Sequence, residues 1–400
     1  MHLLFVVQRF GLDIAGGAEQ ACRGFATRLA GRGHRVEVLT SAARDYTDWA
    51  DFYPVGESVD DGVVVHRLGA AATRDLERFG RLQQRVVFGH HPVAWHLQQE
   101  WMKAQGPILD GLPGFLADRA AEYDVVVFFT YLYNTTFVGL PTAAGLAPTV
   151  LHPTAHDEPP IHLPLFDPVF RHPAAFGFLT PEEETLVRGL FRSRQPSLTV
   201  GIGVEMDDSP ADVAGFRSRW ALGDDPFLLF VGRVDMHKGA HELFDQFVAY
   251  RRRRPSPPLR LVFLGEPVQP LPEHPEVVVT GRFDDADRRA ALQGCLCLVN
   301  PSYFESFSMV LTEAWAQHRA ALVQGRSPVL TGQVRRSGGG LAYRGFAEFE
   351  AAVDIILDDP GATVAMGEAG RRYAERWYGW DPLLERYETL LELAAGRRPA

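Results

Sequence analysis

The sequence predicts an α/β protein of two domains, each built on a parallel β-sheet of the Rossmann type. The first observation is length: 400 residues, 46% of them apolar, exceed what a single core usually requires. The second is a pattern of short runs rich in β-branched and aromatic residues, which alternate with longer helical stretches in two successive series.

The first series of predicted strands continues to about residue 180 and comprises "LLFVV", "RVEVLT", "GVVVHRL", "DVVVFFT", "PTVLH" and "AFGFLT". The second comprises "PSLTVG", "FLLFVGR", "LRLVFLG", "EVVVTGR", "CLCLVN" and "AALVQG". Turn-forming residues gather where the two series meet. We therefore expect an N-terminal domain over 1–198, a C-terminal domain over 199–379, and a last helix at 380–395 that packs back on the first domain.

Composition narrows the classes of function. The formal net charge of −10 argues against a general nucleic-acid binder. The three cysteines form no even set, which favours a reduced, cytoplasmic chain. No apolar run approaches the roughly 20 residues that span a bilayer, and "MHLLFVVQRF" reads as a buried strand rather than a leader.

Three strand-to-helix loops could carry chemistry, because ligands of open parallel sheets bind beyond the carboxyl ends of the strands. In the first loop, Gly16 and Gly17 would let the backbone approach a ligand at the start of a helix, or would serve only a packed turn. The loop lacks G-x-G-x-x-G, so a nicotinamide-dinucleotide site is not supported.

The second loop lies in "FVGRVDMHKGAHELF" and places Arg233 and Lys238 between a strand and a helix. Two cations are unfavourable at the start of a helix unless an anion lies between them, and a diphosphate suits both side chains. Lys238 is one of only two lysines in the chain, the other being Lys103.

The third loop lies in "NPSYFESFSMVLTEAW", where Ser306 or Ser308 is the predicted N-cap of a helix. Glu305 is then in the loop and Glu313 is more than one turn inside the helix. Eight helical positions leave these side chains about 80° apart, which predicts different partners for the two carboxylates.

These motifs resemble those of a known enzyme family. "GRVDMHKG" and "PSYFESFSMVLTEA" are similar to the phosphate-binding and E-x7-E motifs of GT-B-fold retaining glycosyltransferases of family 4, the group 1 glycosyl transferases. "GGAE", "RGHRVEVLT", "AHDEPP" and "WYGWDPLLERY" resemble the same family in order and spacing. The resemblance implies two Rossmann-like domains that face a central cleft, and an enzyme of the hexosyltransferase type (EC 2.4).

The resemblance also implies that a nucleotide-diphosphate sugar is the donor. No D-x-D metal-binding loop follows a strand, and two cations can stabilise the diphosphate, so we expect no metal or other cofactor. Arg233 and Lys238 would hold the donor diphosphate, together with backbone amides near Phe307, Ser308 and Met309. Gly16 and Gly17 would lie close to the donor phosphates and the acceptor entrance.

Two catalytic residues follow from the same resemblance. Glu305 would meet donor-sugar hydroxyls near the reacting carbon, and His156 of "AHDE" would face the transferred sugar; Glu313 would bind the ribose. His152 lies four positions before His156, but Pro153 argues against a helical metal pair, so His152 is expected to be structural. The segment "GIGVE" departs from the N-G-V-D-like sequence of many relatives, which leaves the role of Glu205 open.

The acceptor, a glycan, a glycolipid or a small molecule, cannot be derived from these motifs. Arg74, Arg78, Arg81 and Arg85 are spaced as one helical stripe, which suits either peripheral contact with a membrane or a solvated helix face. Two other functions share the donor motifs: a nucleotide-sugar epimerase or hydrolase, and a non-catalytic nucleotide-sugar-binding subunit.

Overall fold

The computed structural model describes residues 1–14, 16–90 and 92–396, and these form two compact units. The first unit contains Met1–Gly201 and the C-terminal residues from Leu383 onward, and the second contains Ile202–Pro382. Each unit has its own sheet and its own helices. The prediction of two α/β domains with largely parallel sheets is therefore confirmed.

The sheet of the first unit has eight strands in the order β3-β4-β2-β1-β5-β6-β7-β8. All neighbours are parallel except β3, which pairs antiparallel with β4 at the edge. Most central strands have no exposed face, which explains their near-continuous apolar sequences. The strands are β1 (His2–Val6), β2 (Arg35–Ser41), β3 (Gly56–Asp60), β4 (Val63–Leu68), β5 (Val125–Phe129), β6 (Thr149–His152), β7 (Ala175–Phe178) and β8 (Ser197–Thr199).

Helices cover this sheet and join its strands. They are α1 (Gly17–Gly31), α2 (Leu76–Val86), α3 (Trp95–Gln105), α4 (Leu112–Arg119), α5 (Asn134–Ala144), α6 (Pro181–Phe191) and most of the C-terminal helix α14 (Trp380–Ala394). Short 3-10 turns lie at Ala120–Glu122, Pro159–His162 and Pro164–Phe166. The last helix is anchored in this unit, where the hydroxyl of Tyr387 lies 2.9 Å from Nε2 of His152.

The sheet of the second unit has six parallel strands in the order β11-β10-β9-β12-β13-β14. They are β9 (Phe227–Val231), β10 (Arg260–Leu264), β11 (Val277–Val279), β12 (Cys297–Asn300), β13 (Ala320–Gln324) and β14 (Gly340–Tyr343). Its helices are α7 (Val213–Arg219), α8 (Ala240–Arg253), α9 (Asp285–Gly294), α10 (Met309–Ala316), α11 (Pro328–Ser337), α12 (Phe346–Asp358) and α13 (Pro360–Tyr378).

One strand assignment from the sequence was wrong. "PSLTVG" was predicted to open the second sheet, but its strand β8 pairs with β7 and closes the first. The sixth strand of the second sheet is β14, in "GLAY", which was not predicted from the sequence. Both segments are short and follow turn-forming residues, so strand pairing alone determines the sheet to which each belongs.

The strand order locates a switch point in each sheet. The chain builds outward from β1 in one direction through β2 and β4, and then in the other from β5, so the loops after β1 and β5 lie side by side. In the second sheet the same reversal occurs between β9 and β12. The loops that follow β9 and β12 contain the two motifs predicted to bind the donor.

The predicted arginine stripe is only partly helical. Helix α2 begins at Leu76, with Asp75 as its N-cap, so Arg74 precedes the helix and is not part of its exposed face. Arg78 forms an ion pair with Glu100, and Arg81 lies 2.9 Å from Glu77. The grouping of Arg74 with the others was wrong, because the helix begins only after Asp75.

The remaining arginines of the stripe, Arg78, Arg81 and Arg85, are exposed. Membrane contact through them stays a prediction. Among the described residues, no helix has both the length and the apolar character needed to cross a bilayer.

Candidate functional site

The switch point of the second sheet brings together a lysine and a glutamate from separate motifs. Nζ of Lys238, in the loop after β9, lies 2.9 Å from Oε1 of Glu305, in the loop after β12. The Glu305 side chain is 13% exposed and that of Lys238 is 40% exposed. Both groups can therefore reach a ligand while they hold each other in place.

Asp235 organises the loop after β9. Its Oδ2 accepts a hydrogen bond from Nε of Arg233 at 2.5 Å, and its Oδ1 accepts one from the backbone N–H of Lys238 at 2.8 Å. The Asp235 carboxylate is buried, whereas Arg233 is about half exposed. One buried acid thus orients both predicted diphosphate-binding residues, and we did not identify it from the sequence.

Gly239 allows the two loops to meet. It has φ +72°, and a Cβ atom on it would lie 2.5 Å from the carbonyl oxygen of Pro301. Any other residue would both strain the left-handed backbone and push the loops apart. The glycine that ends "GRVDMHKG" is therefore required by contact with the second motif.

The start of α10 presents free donors beside Glu305. Ser308 occupies the N-cap position as predicted, but its side chain does not cap the helix; Oγ instead accepts from Nδ2 of Asn300 at 2.9 Å. Within the described chain, the backbone N–H groups of Phe307, Ser308 and Met309 have no acceptor. Three such donors at a helix N-terminus form a site that suits an anion.

Ser308 also has φ 75°, which is costly for a residue with a side chain, by roughly 1–2 kcal/mol. The buried Phe307 packs edge-on against Tyr378 with ring centroids 4.9 Å apart, and Gln333 donates to its carbonyl oxygen. These contacts hold the strained turn in place. Strain that is maintained in this way is common at ligand sites.

Glu313 has a different partner from Glu305, as its position in the helix predicted. Its Oε1 accepts from Nη1 of Arg288 at 3.1 Å, and Arg288 also lies 2.9 Å from Asp285. Burial raises the pKa of Glu313, while the charge of Arg288 acts in the opposite direction. A partly buried carboxylate of this kind can accept hydrogen bonds from a diol.

In the first unit, the "GGAE" loop is built around a buried ion pair. Nε and Nη2 of Arg9 donate to Oε1 of Glu19 at 2.9 and 2.6 Å, and both residues are less than a tenth exposed. Gly16 is the N-cap of α1, and a Cβ on it would lie 2.0 Å from Oε2 of Glu19. Gly16 thus makes room for the glutamate, and Gly17 is the first residue of α1.

His156 lies in the loop after β6, with Nε2 at 3.8 Å from Oε1 of Glu158. Its position depends on a buried carboxylate that the sequence did not reveal. Oε1 of Glu183, in α6, accepts from the backbone N–H of Ala155 at 2.6 Å, and Oε2 accepts from that of Leu179 at 2.6 Å. Burial raises the pKa of Glu183 to about 8, although these bonds oppose the shift.

His152 is structural, as predicted. It is fully buried, it stacks on Phe129 with centroids 4.7 Å apart, and burial lowers its pKa to about 3. The neutral ring is hydrogen-bonded to Tyr387.

Most of the predicted site residues therefore lie in the second unit. The loops after β9 and β12 and the helix α10 contain Arg233, Lys238, Glu305 and Glu313. Gly16, Gly17 and His156 belong to the first unit. Glu205 of "GIGVE" accepts from Nε1 of Trp380 at 2.9 Å.

Comparison with known proteins agrees with this arrangement. Residues 225–358 match the family described as "Glycosyl transferases group 1". Over 411 aligned residues, 95% of this chain and 92% of the relative, the sequence is 24% identical to glycogen synthase of Mycobacterium tuberculosis. The chain is similar to the group 1 glycosyl transferases over a segment that contains both motifs of the second sheet. It is therefore a glycosyltransferase, and a role limited to epimerisation, hydrolysis or silent binding is not favoured.

Solved structures of similar fold include other GT-B glycosyltransferases. Sucrose-phosphate synthase from Thermosynechococcus elongatus is 18% identical and has a TM-score of 0.74, with 99% of each chain covered. Anabaena HepE in complex with UDP-glucose is 15% identical and has a TM-score of 0.71, with 98% of this chain and 99% of that chain covered. At these identities the comparison establishes the GT-B fold.

Proposed function

We propose that this glycosyltransferase binds the diphosphate of a nucleotide sugar at the second sheet's switch point and transfers the sugar with retention of configuration. The observation that carries the proposal is the Lys238–Glu305 pair, at 2.9 Å, beside the free N–H groups that begin α10. These groups combine a cation, oriented donors and a carboxylate within two neighbouring loops. A sugar diphosphate needs all three at its reacting end.

Charge governs the chemistry of the transfer step. As the bond to the sugar carbon breaks, the departing diphosphate gains negative charge and the sugar becomes oxocarbenium-like. Lys238, Arg233 and the N–H groups of α10 stabilise the diphosphate. The family mechanism places the acceptor on the same face as the departing phosphate, whose oxygen helps to accept the acceptor's proton.

Glu305 has two tasks in this proposal. Its carboxylate orients hydroxyl groups of the donor sugar, and it holds the Lys238 ammonium at the place where the diphosphate binds. Glu313 accepts hydrogen bonds from the ribose, and His156 stays a predicted contact of the transferred sugar on the ground of the family resemblance. The cations already supply positive charge to the phosphates, so we expect transfer to continue at an unchanged rate in EDTA.

The donor base and sugar are open within this proposal. The structure of the neighbour HepE was determined with UDP-glucose, which makes UDP-glucose a reasonable first donor to test. Screening UDP, GDP, ADP and dTDP by thermal unfolding identifies the base, because a ligand that binds the native state raises its unfolding temperature.

The decisive experiment uses Glu305→Gln. This change keeps the shape of the side chain but removes its charge, and we expect it to abolish most sugar transfer while nucleotide affinity stays within about threefold. Transfer is measured by chromatography of the products from a radiolabelled donor. Near-normal turnover in the variant would contradict the role of Glu305. A product that is only an epimerised donor or free sugar, with every acceptor tried, would support the competing activities.

A further inference from the structure

Arg74 is a partly buried cation whose charge has no acidic partner in the described chain. Its guanidinium group lies over the rings of Trp49 and Phe79, at 5.2 and 4.5 Å from their centroids. Nη2 donates to the carbonyl oxygen of Gln105, whose side-chain oxygen is 3.5 Å away. Burial lowers the pKa of Arg74. The charge is held by rings and a carbonyl group alone.

Three buried arginines of this protein, Arg9, Arg67 and Arg251, have acceptors for both of their terminal nitrogens. Arg9 binds Glu19, and Arg251 binds Glu276 at 2.9 Å. Arg67 also lacks a carboxylate, but both of its terminal nitrogens donate, to Ser58 at 2.5 Å and to the carbonyl of Phe10 at 3.2 Å. Nε of Arg74, like that of Arg67, is buried without an acceptor, but in Arg74 Nη1 also has no partner among the described residues.

Arg74 is also placed where a ligand of the first sheet would bind. Its backbone N–H donates to the carbonyl of Asp48, in the segment after β2, at 2.6 Å. Trp49 meets the ring of Tyr133 edge-on, with centroids 5.5 Å apart, and Tyr133 follows β5 at the switch point. Loops from the carboxyl ends of three strands therefore converge on this arginine.

Tyr133 connects Arg74 to the "GGAE" loop. Burial raises the pKa of the Tyr133 phenol; the charge of Glu19 adds to the rise, and those of Arg9 and Arg74 oppose it. The phenol is thus within electrostatic reach of both arginines. Its hydroxyl has no hydrogen-bond partner in the part of the chain that the structure describes, so it is available as a donor.

A partly buried charge without a counter-ion is unfavourable, and aromatic faces offset that cost only in part. An anion bound to Nη1 would supply the missing charge, and the planar guanidinium suits phosphate and carboxylate groups. We propose that Arg74 and Tyr133 form a subsite for a phosphate or carboxylate group of the acceptor. This inference rests on the proposed function, since it assumes that an acceptor is used.

The test measures binding of glucose 6-phosphate, glucuronate and glucose to the full chain by calorimetry, with UDP present in excess to occupy the donor site. We expect at least one anionic sugar to bind and glucose to show no measurable binding. The two anionic probes distinguish a phosphate from a carboxylate. Arg74→Gln should lower the affinity for the anionic sugar that binds at least tenfold, and Tyr133→Phe should lower it about three- to tenfold.

The matched control is Arg81→Gln, which removes an exposed arginine that is paired with Glu77; it should bind the probe as the unchanged protein does. The proposal fails if no anionic probe binds the unchanged protein, or if Arg74→Gln and Arg81→Gln bind it equally well. If Arg74→Gln does not fold, Tyr133→Phe still tests the proposal. Unchanged affinity of Tyr133→Phe for the probe would also contradict the subsite. UDP affinity, measured on the same samples, reports separately on the proposed donor site.

Discussion

Replacement of Lys238 by alanine removes the cation that faces Glu305 and leaves that carboxylate without its partner. Nζ of Lys238 lies 2.9 Å from Oε1 of Glu305, and the glutamate is the more buried of the two. When a nucleoside diphosphate binds, the ammonium can bind phosphate oxygens and Glu305 together, because it has three donors. The variant should therefore lose affinity for the nucleoside diphosphate for two reasons.

The first loss is a charge-assisted hydrogen bond, for which about 1.5–3 kcal/mol is typical. Lys238 is 40% exposed, so solvent screening favours the lower half of that range. About 1.5–2 kcal/mol corresponds to a dissociation constant about 10- to 30-fold higher. The second loss is repulsion between the unpaired Glu305 and the diphosphate, which adds to the first.

Calorimetry with the nucleoside diphosphate chosen by the thermal screen measures both effects. Lys238→Ala should weaken binding of the diphosphate more than binding of the corresponding monophosphate, because the lysine is expected to bind the outer phosphate. The double variant with Glu305→Gln should recover several-fold in affinity, since it removes the repulsion; this is the sign of coupling between neighbours.

The chain supplies its own control in Lys103, its other lysine. Lys103 is 60% exposed on α3 and lies 3.1 Å from Glu100, so Lys103→Ala removes a comparable ion pair from the first unit. We expect that variant to bind nucleotide normally. Unchanged diphosphate affinity in Lys238→Ala, or equal losses in the two lysine variants, would refute the assignment.

Two further predictions concern residues that position the loops. Because burial raises the pKa of Glu183 from 4.5 to about 8, its contribution to stability is full below 4.5 and is lost as the pH rises through 8. Calorimetry of the unchanged protein and of Glu183→Gln gives the difference between their unfolding temperatures. The unchanged protein should lose stability relative to the variant between pH 5 and 9, and a difference that stays constant with pH would contradict this. Gly239→Ala should weaken nucleotide binding at least about tenfold, because its Cβ would meet the Pro301 carbonyl. Gly223→Ala has similar backbone strain at φ +57° but no atom within 4 Å of its Cβ, so equal effects of the two changes would count against the contact.

Much of the fold was readable from local patterns. Eleven of the twelve strands named from apolar runs belong to the predicted sheet, because a run of β-branched and aromatic residues marks a buried strand. Strand β8 was assigned to the wrong sheet because its own sequence does not show which strand it pairs with, and β14 was missed because it begins at a glycine that follows other glycines. The edge strand β3 was missed because "GESVD" is polar and almost wholly exposed.

The candidate site shows the same division. Arg233, Lys238, Glu305 and Glu313 stand in motifs whose spacing alone marks them. The position of Asp235, two residues after Arg233, could have suggested a contact with that arginine. Nothing in the sequence shows that its carboxylate accepts hydrogen bonds from both the Arg233 side chain and the Lys238 backbone N–H.

The sequence by itself determined two α/β domains, the loops that carry chemistry and the different environments of Glu305 and Glu313, since each follows from periodicity within a short segment. Only the tertiary structure decided that Lys238 contacts Glu305, 67 residues away, and that Gly239 contacts Pro301. It also separated Arg74 from the exposed face of α2 and placed it among aromatic rings. Such contacts depend on strand order at a switch point, which brings together segments whose sequences contain no information about each other.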